Sequence, residues 1–155
     1  MTAVETLARC PLFRDFTDTG LRIVASIAQE RSVPEGAPIF VEGMLGDSLF
    51  VVRSGRVAVG LRDPEGRPHV LASLGEGEHF GELSLVCPDV PRLVSAVAQT
   101  PVELLEIRQR DFAKLQTQKP QACLKLVLAI AGTFGRRLSD NREVLGGLLV
   151  PAARR

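Results

Sequence analysis

The stretch of this sequence best suited to chemistry is Phe80-Gly81-Glu82-Leu83-Ser84-Leu85, followed seven residues later by Arg92. Gly81 lets the backbone approach a ligand closely. Glu82 to Val86 is long enough for one helical turn, whose free N–H groups would point at an anion. Arg92 carries a planar fork suited to gripping phosphate oxygens. A carboxylate beside a phosphate would repel it, so Glu82 must face away, and a sugar hydroxyl is the natural partner for an acceptor placed there. The same residues also fit a plain turn with a surface ion pair, because Gly-Glu-Leu is a common tripeptide and arginines of β-rich folds often serve that way.

The surrounding pattern says what must position these groups. The first thirty residues read as helical, with Thr2-x-x-Glu5 as a capping box before Leu7. Asp18 is the expected cap of a segment that places Leu21, Val24 and Ile27 on one face. From Arg31 to about Ile107 the texture changes to short alternating runs: Ile39 to Val41, Ser48 to Arg53, Val57 to Leu61, Val70 to Leu74, Leu93 to Ala98 and Val102 to Ile107. Gly and Pro interrupt them at regular intervals, the signature of an all-β barrel or double-sheet roll. Helix returns at Gln109: Asp111 to Gln118 makes a short one, and Pro120 opens a longer one expected to run to about Leu145 before Gly146-Gly147.

Three ordered segments turn this pattern into a resemblance. Glu42-Gly43-x-x-Gly46-Asp47-Ser48-Leu49-Phe50-Val51-Val52, with Ser54-Gly55-x-Val57 after it, resembles the glycine-bearing β-hairpins of the cyclic-nucleotide-binding domain family. Phe80 to Val97 is similar to that family's phosphate-binding cassette. Leu105-Glu106-Ile107, with Asp111-Phe112 behind it, matches how these domains leave the sheet for their last helices. The resemblance spans roughly Leu12 to Leu145. It implies one domain over residues 1–155, mainly β with flanking helices: an eight-stranded, jelly-roll-like β-roll over about 31–107, N-terminal helices, and two C-terminal helices over about 109–145.

The resemblance also implies a ligand, cAMP, and a set of contacts. Gly81 and the amides of Glu82 and Leu83 would touch the ligand, with Ser84 in the same turn. Glu82 would accept from the ribose 2′-hydroxyl and Arg92 would pair with the cyclic phosphate. Leu93 and Val94 stand where the family usually has a small or hydroxyl-bearing residue, which removes a donor to phosphate or guanine and disfavours cGMP. Aligning Arg136-Arg137-Leu138 with the similar run of the bacterial activators places Asn141 and Arg142 among the base-contacting positions, where Asn141 offers donor and acceptor to an adenine edge. A solvated Asn at a helix end fits that position equally well.

Composition excludes several other classes. Apolar residues make up 45% and charged residues 24%, as in an ordinary folded chain. Seven Phe without Trp or Tyr give few stacking platforms for single-stranded nucleic acid. Only His69 and His79 are available as imidazoles, ten residues apart and without the His-x-His pair of a cupin metal site, and no Ser or Cys carries an activating motif, so no catalytic residue, metal or further cofactor is expected. The cysteines at 10, 87 and 123 are odd in number and widely spaced, which fits a reducing cytoplasm, as does an N-terminus lacking a signal-peptide pattern. The basic excess gathers after Ile107 and reads as a solvated helix face. The ten residues after Leu145 leave no room for a recognition helix, so direct DNA binding is not expected, nor is membrane insertion, and any output runs through another, unidentified protein.

The last helix carries a further expectation. Leu124, Val127, Leu128, Ala131, Phe134 and Leu138 recur at three and four, while Leu126 and Ile130 lie off that stripe. A helix apolar on two sides needs two covers. The roll is one; a second copy of the helix is the simplest other, which predicts a homodimer through the C-terminal helix, with ligand binding signalled along it. The alternative on the same fold is a ligand-free interaction module.

Overall fold

A computed structural model describes residues 1–146. Eight antiparallel strands form two four-stranded sheets, and helices flank them at both ends. One sheet has the order β1 (Ala28–Val33), β8 (Val102–Arg108), β3 (Ser48–Ser54), β6 (His79–Phe80). The other runs β2 (Pro38–Phe40), β7 (Ser95–Ala98), β4 (Val57–Arg62), β5 (Pro68–Leu74). The expected roll is therefore present.

Strand β3 shows why the layers stack as they do. Side chains alternate across a strand, so Leu49 and Val51 face the helices while Phe50 and Val52 face the second sheet, and all four are buried. β8 divides in the same way, Leu105 and Ile107 from Val102 and Leu104. A strand covered on both sides reads as an unbroken apolar run, which Leu49-Phe50-Val51-Val52 is. Two cores result: one between sheet and helices, the other between the sheets, where Phe50 and Phe80 stack with centroids 5.2 Å apart.

The helices are α1 (Ala3–Arg9), α2 (Asp18–Ala25), the single turn α3 (Leu83–Val86), α4 (Gln109–Gln118) and α5 (Pro120–Asp140). The Thr2–Glu5 capping box closes in both directions. Four expectations are corrected. Thr17, not Asp18, caps α2: its hydroxyl accepts from the Gly20 amide, which leaves Asp18 in the first turn. The β region starts at Ala28 rather than Arg31: Ala28 to Glu30, expected to be helical, open the strand Ala28–Val33, which lies at a sheet edge where its polar Gln29, Glu30 and Arg31 meet solvent and hide the strand pattern. Leu93 and Val94 precede β7 rather than belong to it. α5 stops at Asp140, because Asn141 leaves helical geometry and its side-chain amide donates to the Arg137 carbonyl at 2.7 Å. Gly147, half of the expected stop signal, lies outside the described residues.

Candidate ligand site

A cleft of about 380 Å³ opens between the second sheet, the turn at α3 and helix α5. The Gly81–Arg92 segment forms one wall. Phe134 and Arg137 of α5 form the opposite wall, and Val59, Ala72 and Leu74 give it an apolar flank.

Gly81 has φ of 77°, a conformation that side-chain-bearing residues rarely adopt. A Cβ there would also come within 2.7 Å of Arg92 Nη1 and 2.9 Å of the Ser48 carbonyl oxygen. The bend it allows turns the chain from β6 into α3, where the Ser84 and Leu85 amides donate to the Gly81 and Glu82 carbonyls. The amides of Glu82 and Leu83 stand at the open end of that turn.

Arg92 is only 7% exposed. Its Nη1 donates to the Gly81 carbonyl at 3.1 Å and its Nη2 to the Ser48 carbonyl at 3.0 Å. The guanidinium lies over the Phe40 ring, 4.0 Å from the centroid. Nε is buried without a hydrogen-bond partner among the described residues. A Cβ at Gly46 would overlap the same guanidinium, so that position admits nothing larger. Burial lowers the arginine's pKa, opposed by the fields of Asp47, Glu106 and Glu82. Both of its hydrogen-bond partners are backbone carbonyls, which carry no full negative charge. A buried cation held this way retains an unmet demand for an anion.

Glu82 is 4% exposed. Burial works against its charge, but His79, its own backbone and Arg137 outweigh burial and hold the carboxyl below the ordinary range. Arg137 Nη1 donates to Oε1 at 3.0 Å, and His79 Nδ1 lies 3.4 Å from Oε2. Glu82 thus faces away from Arg92 and toward α5, the orientation expected of an acceptor kept clear of an anion.

Of the residues singled out from the sequence, Gly81, Glu82, Leu83, Ser84, Arg92, Leu93 and Val94 all line the cleft. Asn141 does not; it is exposed, with its amide turned back on its own helix. Arg137, Phe134, His79 and Phe40 join the site without having been singled out for it. Arg137 left a trace in the Arg136-Arg137-Leu138 run. Phe40 left none, since a Phe beside a strand pattern reads as core.

The family model of the cyclic nucleotide-binding domain matches residues 30–119. The chain is 31% identical over 88% of its length to the CRP-like cAMP-activated global transcriptional regulator of Mycobacterium tuberculosis, and 36% identical over 84% to the cyclic AMP receptor protein of Thermus thermophilus. It spans about three-fifths of these relatives, 60% and 58% of their lengths. The crystal structure of the Thermus thermophilus catabolite activator protein superposes with a TM-score of 0.78 at 35% identity, covering 89% of this chain and 62% of that one. Roll, cassette and comparisons agree, and the chain belongs to the cyclic nucleotide-binding domain family. That membership makes it a cyclic nucleotide-binding module by kind. No helix among the described residues is long and apolar enough to cross a membrane.

Proposed function

We propose that this chain is a cAMP sensor that signals through α5. The observation that carries the reading is Arg92: a buried guanidinium aimed by two backbone carbonyls, stacked on Phe40 and, among the described residues, lacking a carboxylate partner. A cyclic phosphate supplies the missing charge. Glu82 accepts the ribose 2′-hydroxyl, and the amides of Glu82 and Leu83, with Ser84 beside them, complete the phosphate and sugar end. Leu93 and Val94 line the cleft with hydrocarbon and offer guanine no hydroxyl, which favours cAMP over cGMP. The names of the two bacterial relatives, both cAMP-responsive, point the same way.

The signal leaves through Arg137, which ties Glu82 to α5. A ligand that takes a lone pair of Glu82 changes what Arg137 can hold, and so biases the placement of the helix. α5 buries Cys123, Leu126 and Ile130 against the body but leaves Leu124 and Leu128 59% and 62% exposed. That uncovered side supports a homodimer through α5.

Isothermal titration of the full chain with cAMP and cGMP tests the reading. Saturable binding with cAMP tighter than cGMP is expected. No heat from either nucleotide at millimolar concentration would overturn it and leave an interaction module on the same fold, the reading that the uncovered side of α5 would then favour.

A further inference from the structure

His79 lines the cleft, yet neither phosphate binding nor helix coupling uses it. Its place follows from the shortest strand of the roll. β6 has two residues, and Phe80 turns inward to stack on Phe50, so His79 is directed to the other face. Backbone pairing of His79 with Val51, and of Phe80 with Phe50, fixes that direction. The imidazole side chain is 9% exposed, and its Nδ1 sits 3.4 Å from Oε2 of Glu82, short of hydrogen-bond geometry and without another partner among the described residues.

Glu82 is therefore approached at both oxygens by cations or potential cations of unequal standing. Arg137, on Oε1, belongs to α5 and has a side chain 56% exposed. His79, on Oε2, is buried and belongs to the sheet. The other titratable groups near Glu82 act more remotely: Arg92 from beyond α3, and Cys10 from the N-terminal segment, whose thiol burial pushes up to about 12 and so keeps neutral. A carboxylate that must present one oxygen both to a helix and to a sugar needs its other oxygen anchored to something that stays with the roll.

We propose that His79 is a positioning residue for Glu82, gripping Oε2 from the sheet so that Oε1 stays presented to Arg137 and to the ligand's ribose hydroxyl. The proposal rests on the cAMP reading for its sugar contact, but not for the grip itself.

The test uses the full chain with His79→Phe, which removes the donor, and His79→Gln, which keeps a neutral one. Titration with cAMP and 2′-deoxy-cAMP gives the selectivity for the 2′-hydroxyl. In His79→Phe this selectivity should fall by about threefold or more, the scale of losing one polar restraint, and His79→Gln should restore most of it. A His79→Phe protein that keeps the wild-type selectivity overturns the sugar role. Carbon-13 NMR of the Glu82 carboxyl, without ligand, tests the grip separately: its titration midpoint should rise in His79→Phe, and an unchanged midpoint overturns the proposal whether or not cAMP binds. Failure of wild-type cAMP binding alone would count against the nucleotide reading and leave the midpoint to decide the role of His79.

Discussion

The two walls of the cleft are built on opposite terms. The roll wall fixes Arg92 at 7% exposure through the Ser48 carbonyl and the Phe40 ring, both on strands, and the Gly81 carbonyl in the bend from β6 into α3. The helical wall is joined to the roll at this point by Arg137, half in solvent, on one oxygen of Glu82. A carbonyl held in a sheet and another held in a hydrogen-bonded bend cannot follow a moving guanidinium, so the first wall is preorganised. A partly exposed ion pair contributes only about 0–1 kcal/mol, so the second can be released by a modest change in what Glu82 bonds. A rigidly held guanidinium facing a loosely latched helix is the arrangement the proposed sensor needs.

The sharpest way to break this contrast is to remove the rigid side. Arg92→Ala should weaken cAMP by more than tenfold in calorimetric titration, since a charge-assisted contact in a partly desolvated site is worth roughly 2–4 kcal/mol. Unchanged affinity would remove Arg92 from the site and with it the distinction between the walls.

The same contrast governs what the sequence discloses. Gly81, Glu82 and Arg92 sit within twelve residues of one another, so local chemistry and spacing reveal them together. The fold was equally legible where strands are buried on both faces, as in Leu49 to Val52, and obscure at the edge strand Ala28–Val33, whose polar residues meet solvent. The helical wall depends on the register of α5 across the roll, some fifty residues from Glu82. Local pattern cannot set that register within a turn, which is why Asn141, just past the end of α5, stands out in the sequence while Arg137, four residues earlier and on the helix, is the one that reaches the cleft.

Glu82 lies between the walls, and its removal should have an intermediate effect. Glu82→Gln should weaken cAMP more than 2′-deoxy-cAMP, and the four affinities should show coupling in a thermodynamic cycle. Simple additivity would assign Glu82 to the fold or to Arg137 alone. A second readout is acid stability. The folded pKa of Glu82 is lowered, so its stabilisation is present above the ordinary glutamate range and is lost as pH falls through the folded value. Urea unfolding at a series of acid pH values should show that loss in the wild type and a shallower one in Glu82→Gln.

Arg137→Ala probes the latch itself. Its affinity loss should be smaller than that of Arg92→Ala, a few-fold, in keeping with a half-exposed partner. A loss as large as that of Arg92→Ala would mean that both walls are equally fixed.

Outside the cleft, Leu128→Glu tests the uncovered side of α5. The side chain is 62% exposed, so monomer stability should change by no more than about 0.5 kcal/mol. Light scattering should nonetheless show a dimer in the wild type and a monomer in the variant, because a buried unpaired carboxylate opposes the helix seam. A wild-type chain that is monomeric with and without cAMP would sink the dimer.

Asn141→Ala is the smallest and most discriminating comparison. Asn141 caps the helix that carries Arg137, and its side-chain amide donates to the Arg137 carbonyl at 2.7 Å. That carbonyl also accepts from the Asn141 backbone amide at 3.2 Å, so the side-chain bond is a second one on a group already satisfied. The side chain is exposed, so water can replace it at small cost, a few tenths of a kcal/mol. If α5 meets the ligand only through the turn that carries Phe134 and Arg137, affinity for cAMP in Asn141→Ala should stay within about twofold of the wild type, an energy difference below that of one hydrogen bond. A tenfold loss would mean that α5 extends or rotates on binding until its end reaches the base, and the helical wall would then be a closing lid rather than a latch with one contact.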